Sequence, residues 1–194
     1  FAPMISRGNP RPVQAALEAV DNNSRALSAE QAARSTSAAV AALCDRSILF
    51  KTIDSTLRGH ISNEITAAFT ASGRKRLIIA PAFPDVGRLT IDGTQFVHGT
   101  PVSESEYGRD PVHSARFSQI ADLLDLAQGT PLVLPVTAPQ ELNRSAAGAR
   151  TTIFHAAFQA PPNRHVASGP KPCAASCLAL PGLPLPVPVL PRVS

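Results

Sequence analysis

The sequence predicts an α/β fold built on a mostly parallel sheet. Across residues 16–154, short apolar runs that suit buried strands alternate with stretches in which apolar residues recur at helical spacing. This alternation is typical of βα units, in which a helix connects each strand to a parallel neighbour. A stretch punctuated by glycine and proline, from residue 84 to 101, adds turns that a plain βα pattern lacks. We therefore expect a three-layer, Rossmann-like domain with a β-hairpin outside its sheet.

The sequence of the first half of this domain predicts two strands and two helices. Residues 17–20 suit a short strand, and no strand is expected before them. Ser28 followed by Gln31 predicts a capping box that starts a helix running to about Leu43. Residues 47–51 suit the second strand. The next helix is indicated by a one-sided apolar stripe that ends near Gly73 and consists of Ile61, Ile65, Ala68 and Phe69.

The second half predicts three further strands, the hairpin and one more helix. Residues 77–80 are apolar and partly β-branched, which favours a buried strand. Two strand-like pieces follow, around Thr90 and over residues 95–98, and the glycines near them predict the hairpin. Strands are also expected at 132–136 and from residue 151 onward. The helix between them is indicated by Phe117, Ile120, Leu124 and Ala127.

The composition changes after Phe154. Residues 155–194 contain 9 of the 19 prolines and no acidic residue, and the proline-rich run at 181–191 suits neither a helix nor a central strand. We expect a disordered, low-complexity tail. Two alternatives stay open: an extended polyproline arm offered to a partner, and a frame-shifted end of the reading frame.

Charge and cysteine content restrict the possible functions. All 14 acidic residues and 15 of the 18 basic ones precede residue 155, so the domain itself is close to neutral and no nucleic-acid partner is predicted. No apolar run over residues 1–154 is long enough to cross a bilayer, so no membrane partner is predicted either. Three cysteines form neither a metal quartet nor a disulfide framework, and Cys44 is expected to be a packed thiol. A cytoplasmic setting follows.

Polar side chains are concentrated where four strands should end. The four segments are 21–25, 52–60, 81–88 and 104–111. In open parallel sheets, ligands bind beyond the carboxyl ends of the strands, where a following helix presents free backbone N–H groups. The run from residue 51 to 60 follows an apolar strand and holds an acid, two hydroxyls, an arginine and a glycine. It is therefore the first candidate for a site that binds an anion.

The residue types in these segments suit a small hydroxylated carboxylate. Arg25, Arg58 and Arg88 can each bind a carboxylate through two parallel hydrogen bonds, and Arg58 is the favoured clamp. Ser24, Ser55 and Thr56 can contact hydroxyl groups of the ligand. Asp54 could orient or deprotonate an attacking hydroxyl.

Each of these residues also has a purely structural interpretation. Ser55 and Thr56 could be N-caps of the following helix, and Asp54 could simply pair with Arg58. Glu104 and Glu106 are spaced for one face of a strand, and a solvated hairpin edge is favoured over a cation site there. Neither a P-loop nor a G-x-G-x-x-G run occurs, so nothing in the chain predicts nucleotide binding.

Four ordered motifs in these segments resemble the N-terminal domain of the four-carbon acid sugar kinases. They are Asp21-x-x-Ser24-Arg25, Lys51-x-Ile53-Asp54-Ser55-Thr56-Leu57-Arg58-Gly59, Ala80-Pro81-Ala82-Phe83-Pro84-x-x-Gly87-Arg88 and Glu104-x-Glu106-x-x-Arg109-Asp110-Pro111. The resemblance implies an ATP-dependent kinase acting on erythronate, threonate or their oxo forms. It implies that this domain binds the sugar acid, with Gly59 added to the binding residues, whereas ATP with Mg²⁺ is bound by a separate C-terminal domain.

The chain departs from the family in two places. An opening strand with an Asp-Asp-Leu/Phe-Thr-Gly type motif and the glycine-rich nucleotide domain are both missing from the sequence. We therefore expect residues 1–154 to be a partial sugar-acid-binding domain, cut short at both ends and inactive alone. The alternatives are a non-catalytic sugar-acid-binding module and an interaction protein, since some such proteins carry a label as type III effectors. The sequence leaves substrate stereochemistry and oligomeric state open.

Overall fold

The structure, a computed structural model, describes residues 3–8, 15–74 and 76–124, and the backbone of three later strands. The predicted α/β character is confirmed. Two helices are present in the described part, α1 (Ala29–Ala42) and α2 (Ile61–Ser72). The strands are β1 (Met4–Arg7), β2 (Glu18–Asp21), β3 (Leu49–Thr52), β4 (Arg76–Ala80), β5 (Arg88–Ile91), β6 (Thr94–Val97), β7 (Thr100–Pro101), β8 (Leu132–Pro135), β9 (Thr151–His155) and β10 (Ser176–Leu180).

The main sheet has five strands in the order β3–β10–β4–β9–β8. β9 runs parallel to both β4 and β8, as expected for βα units. β10 runs antiparallel to both β3 and β4, so the expectation of a mostly parallel sheet is wrong and the sheet is mixed. β10 also corrects the expectation of a wholly disordered tail, because residues 176–180 contain no proline and each can donate a ladder hydrogen bond. The proline-rich run at 181–191 lies outside the described residues.

A small parallel pair, β1 with β2, precedes this sheet. The expectation that no strand would precede residue 17 is therefore wrong. β1 has only four residues and is largely exposed, so it lacks the alternation of apolar and polar residues by which a half-buried strand is recognised.

The first two of the three predicted helices are confirmed almost to the residue. Ser28 Oγ accepts a hydrogen bond from the backbone N–H of Gln31 at 3.2 Å, and the Gln31 side chain accepts one from the Ser28 N–H at 3.0 Å. Because α1 ends at Ala42, Cys44 lies beyond the helix and is exposed, so the expected packed thiol is wrong. α2 buries Ile61, Ile65 and Phe69 in the core, where Leu77 and Ile79 of β4 also lie.

The hairpin is confirmed as a three-stranded antiparallel sheet, β5–β6–β7. Two-residue turns connect its strands, and both residues of each turn have positive φ: Asp92 and Gly93 in the first, His98 and Gly99 in the second. This geometry matches the right-handed twist of the flanking strands. β5 begins at Arg88, so the sheet carries one of the predicted binding residues at its first position.

The helix predicted from Phe117 is wrong over the described residues. The Gln95 N–H donates to Ser118 O at 2.8 Å, and Gln119 forms a bridge with Thr94, so this segment pairs with β6 in an extended conformation. Only a 3-10 turn at Ile120–Leu123 follows. Cross-strand pairing therefore overrides the helical spacing of the apolar residues, while Ala127 lies outside the described part of the chain.

Candidate functional site

The loop between β3 and α2 carries the central part of the site. It turns sharply at Leu57, whose φ of 55° lies in the left-handed region, and the Leu57 N–H donates to Asp54 O at 2.9 Å. This conformation costs a non-glycine residue about 1–2 kcal/mol. The Leu57 side chain is only 3% exposed, and burying a leucine stabilises a fold by about 1.5–3 kcal/mol. Core packing therefore holds the loop in its strained shape.

The carboxylate of Asp54 accepts several of the hydrogen bonds in this loop. Its Oδ1 accepts from the Thr56 backbone N–H at 2.9 Å and from Thr56 Oγ1 at 2.7 Å. Its Oδ2 accepts from Arg58 Nε at 3.1 Å and from Arg25 Nη2 at 2.8 Å. Because both oxygens are engaged, Asp54 ties two arginines from separate segments to one carboxylate.

Opposing effects act on the pKa of Asp54, and their sum is a pKa below the ordinary value. Burial raises the pKa, whereas the hydrogen bonds from Thr56 and the charges of Arg58 and Arg25 lower it and prevail. A carboxylate that is held ionised and fully hydrogen-bonded is a weak general base. The catalytic role of Asp54 stays a prediction, and its pairing with Arg58 is established.

Arg58 lies between two carboxylates. Besides Asp54, its Nη1 donates to Asp110 Oδ2 at 3.2 Å, and its Nε also donates to Thr56 Oγ1 at 3.0 Å. Asp110 is held in turn by the backbone N–H groups of His113 and Val112, which lower its pKa together with Arg58. The guanidinium of Arg58 is therefore already neutralised within the protein.

Arg88 has a different environment. Its Nη1 donates to Ser55 Oγ at 2.7 Å, and its Nη2 lies 3.5 Å from the Tyr107 hydroxyl. Among the residues whose side chains the structure describes, no carboxylate pairs with Arg88. The cluster formed by Arg25, Arg58, Arg88, Asp54 and Asp110, called here the arginine cluster, therefore has one positive charge in excess, located at Arg88.

Some of the predicted site residues contact each other in the structure and others do not. Asp54, Thr56, Arg25 and Arg58 belong to one hydrogen-bonded network. Arg88 and Ser55 form a second hydrogen-bonded pair, and the Tyr107 ring lies near both Arg58 and Arg88. Ser24 begins the 3-10 turn that carries Arg25, but its side chain makes no hydrogen bond to the described residues. Gly59 has a φ of 87°, and a Cβ built there would meet nothing within 4 Å. The space beside Gly59 is therefore open.

The structure also decides among the structural interpretations. The N-cap of α2 is His60, so Ser55 and Thr56 are not N-caps of this helix. Glu104 closes a 3-10 turn and Glu106 follows it, both exposed, so the expected strand spacing of the two acids is wrong. The described residues contain no group of three side chains able to ligate a metal. Their helices are also too short or too polar to cross a membrane.

Sequence reasoning missed three contributors to the site. Asp110 stood only as part of a motif and Tyr107 only at an unspecified position of the same motif, yet both contact Arg58. Gln95 was assigned only to a strand, yet it is fully buried and its side chain donates to the main-chain oxygen of Ser55 at 2.8 Å. A glutamine at an inward-facing strand position is a signal of such a contact, because buried polar groups require partners.

Comparison with known proteins identifies the family. The sequence model of the family described as "Sugar-binding N-terminal domain" matches residues 6–159. The chain belongs to this family. This sugar-binding domain is 38% identical over 132 residues to a D-threonate kinase of Salmonella typhimurium. The match covers 66% of this chain and 31% of that enzyme. It is 37% identical over 108 residues to a D-erythronate kinase of Heliobacterium modesticaldum, covering 54% and 25%.

A solved structure from Bordetella bronchiseptica shares the fold of this sugar-binding domain. That protein, a domain of unknown function with bound citrate in a domain-swapped dimer, is 36% identical with a TM-score of 0.65. The match covers 74% of this chain and 36% of that one. The predicted resemblance to four-carbon acid sugar kinases is thus confirmed, and the sugar-binding domain spans about a third or less of the curated relatives it matches.

Proposed function

We propose that this chain is the sugar-acid-binding part of an ATP-dependent four-carbon acid sugar kinase. The relatives named as D-threonate and D-erythronate kinases support this substrate class, a four-carbon acid with free hydroxyl groups. The single observation that carries the proposal is the excess positive charge at Arg88, next to the hydroxyl of Ser55. An anion with a neighbouring hydroxyl matches that pair of groups.

The proposal assigns distinct roles to the three arginines. Arg88 binds the substrate carboxylate, because no described carboxylate competes for it. Arg58 faces Asp54 and Asp110, so a substrate carboxylate must share or displace one of these partners. Arg25 is 54% exposed and pairs with Asp54, and we assign it to the far end of the acid. Ser24, Ser55 and Gly59 provide hydroxyl or backbone contacts to the substrate. Thr56 is fully buried and bonded to Asp54 and Arg58, so its part in substrate binding is to hold these two residues in place.

The residues present do not fit an ATP–Mg²⁺ site. The sequence has no phosphate-binding glycine loop, and the two carboxylates of the arginine cluster are engaged by guanidinium groups. ATP would therefore be bound by a further domain, and this chain alone is expected to bind the acid without phosphorylating it. This domain supplies positioning and charge, which are most of what a protein contributes to phosphoryl transfer.

Three further parts of the proposal concern architecture and setting. The parallel strands β4, β9 and β8 and the packed pair α1–α2 support a three-layer, Rossmann-like arrangement of residues 1–154. We assign residues 155–194 to a proline-rich tail, of which residues 176–180 join the main sheet as β10. The cytoplasmic setting and the absence of a nucleic-acid partner stay predictions.

Titration calorimetry tests the binding function directly. The chain should bind D-threonate or D-erythronate and should bind threitol and erythritol, which lack the carboxylate, at least tenfold more weakly, as expected for a lost charged hydrogen bond (about 1.5–3 kcal/mol). Arg88→Ala should abolish the binding of the acids. Arg34→Ala is the matched control, because Arg34 is 64% exposed on α1 and pairs only with Glu30 within the described part of the chain.

Two results would overturn the proposal. Equal binding of the acids and the tetritols would remove the anion site, as would unchanged affinity in Arg88→Ala. Turnover of ATP by the purified chain with any tetronate, in a coupled ADP assay, would contradict the expected inactivity. A non-catalytic binding module would bind the acid equally well, but adding a nucleotide-binding domain from a relative would then give no turnover.

A further inference from the structure

Tyr107 lies against two of the three clustered arginines. The Arg58 Cζ is 5.0 Å from the centre of the tyrosine ring, and the Arg88 Cζ is 5.7 Å from it. Both distances fall within the range over which a guanidinium is attracted by the electron-rich face of an aromatic ring. One ring therefore contacts the neutralised arginine and the arginine with excess charge together.

Hydrogen bonds of its own backbone fix the position of Tyr107. The Tyr107 N–H donates to Ser105 Oγ at 3.2 Å, and the Tyr107 carbonyl accepts from the Ala115 N–H at 2.9 Å. The next residue, Gly108, lies so close to Ser103 that a Cβ would be 1.8 Å from the Ser103 carbonyl oxygen. The tyrosine also packs against the hydrophobic core. These backbone hydrogen bonds and core contacts position the ring independently of the two arginines.

Arg58 is already held by Asp54 and Asp110, whereas Arg88 has no described carboxylate partner and loses conformational entropy when it is ordered to face an anion. Long arginine side chains otherwise sample many rotamers, and each ordering step weakens binding. A rigid aromatic surface that attracts both guanidinium groups reduces this loss before the ligand arrives.

We propose that Tyr107 is a positioning residue that orders Arg58 and Arg88 for the carboxylate of the substrate. The inference rests on the proposed function for its ligand, but its structural part concerns the ligand-free protein. The ring provides the surface, and the hydroxyl adds the weak contact with Arg88 Nη2 at 3.5 Å. Removing the ring should therefore reduce the affinity for the substrate carboxylate more than removing the hydroxyl does.

Binding of D-threonate by three variants separates ring from hydroxyl. Tyr107→Leu should weaken binding about tenfold, because it removes the surface for two guanidinium groups. Tyr107→Phe keeps the ring and should stay within about threefold of the wild type. Phe117→Leu, at an aromatic that is 44% exposed and outside the arginine cluster, is the matched control and should bind as the wild type does. Equal affinity in Tyr107→Leu and wild type would overturn the inference.

A ligand-free measurement keeps the inference testable whatever the substrate is. In nuclear magnetic resonance spectra, the δ protons of Arg58 and Arg88, assigned through single lysine variants, should be shifted by the tyrosine ring current. The shifts should persist in Tyr107→Phe and vanish in Tyr107→Leu, with folding of each variant checked by its thermal midpoint. Shifts that persist in Tyr107→Leu would overturn the positioning role. Failure of the wild type to bind any tetronate would instead overturn the proposed function.

Tyrosine emission gives an independent readout at the same position. Tyr107 is the one tyrosine of the chain, and the sequence has no tryptophan, so its intrinsic fluorescence reports on this residue alone. Arg88→Ala should change the emission of the ligand-free protein, whereas Arg34→Ala should leave it unchanged. An emission that is indifferent to Arg88→Ala would contradict the contact on which the inference depends.

Discussion

The side-chain amide of Gln95 donates a hydrogen bond to the main-chain oxygen of Ser55 at 2.8 Å. The contact joins β6 to the loop between β3 and α2, across 40 residues of sequence. Gln95 Oε1 accepts in turn from Thr90 Oγ1 at 2.6 Å, and both side chains are fully buried. The hairpin is thereby tied to the loop that carries Asp54, and its first strand supplies Arg88 to the same place.

Replacing Gln95 by leucine should destabilise the protein. The substitution leaves the Ser55 oxygen and the Thr90 hydroxyl buried without partners, and each such group costs about 1–3 kcal/mol. We expect the free energy of unfolding, measured with urea, to fall by about 2–4 kcal/mol. Gln119→Leu is the control: within the described residues the exposed side chain of Gln119 donates only to Thr94 Oγ1, so the substitution should change stability by less than about 0.5 kcal/mol. Equal effects would contradict the role of Gln95.

Asp54→Asn should lower stability in a pH-dependent way. The pKa of Asp54 is lower in the folded protein than in the unfolded chain, where it is about 3.9. Its stabilising contribution is therefore fully present above pH ~4 and is lost as the pH falls through the folded-state pKa. We expect Asp54→Asn to lose about 2 kcal/mol at neutral pH and progressively less below pH ~4. Urea unfolding across this pH range measures the difference in the free energy of unfolding between wild type and Asp54→Asn, and exposed Asp122→Asn is the control. A difference that does not change with pH would contradict the prediction.

Asp110→Asn should strengthen the binding of D-threonate. The asparagine oxygen can still accept from the N–H groups of Val112 and His113, but the negative charge that opposes Arg58 is lost. Because Asp110 and Arg58 are both partly exposed, we expect a modest gain of about threefold in affinity. The gain should shrink at high salt. Titration calorimetry at two salt concentrations measures it, and weaker binding at low salt would show that Asp110 supports the site instead of competing for it.

Gly108→Ala should disrupt the turn that places Tyr107. Its Cβ would lie 1.8 Å from the main-chain oxygen of Ser103, and backbone cannot move aside as a flexible side chain can. We expect a loss of about 3 kcal/mol in the free energy of unfolding, at the upper end for overpacking. Gly99→Ala is the control: its Cβ meets nothing within 4 Å, so only its left-handed conformation costs energy, about 1 kcal/mol. Similar losses of unfolding free energy in the two variants would show that the backbone shifts to avoid the contact with Ser103, which would contradict the prediction.

The elements that the sequence predicted well depend on local chemistry. The capping box of Ser28 and Gln31 and the apolar stripe of α2 involve residues within one or two turns of each other. Two of the predictions that failed depend on distant partners. The segment after Phe117 has helical spacing, but β6 pairs with it and holds it extended. The strand at residues 176–180 is defined by β3 and β4, which are about 100 or more residues away in sequence.

The candidate site divides in the same way. By itself the sequence determined the residue types, the four segments and the family resemblance, because arginines, hydroxyls and an acid at strand ends indicate an anion site wherever they occur. Only the tertiary structure decided which charges cancel. Arg58 meets two carboxylates, while Arg88 meets Ser55 and Tyr107, and the difference arises from contacts between segments far apart in the chain. Electrostatic balance depends on distances of a few ångströms, and such distances are set by the packing of the whole fold.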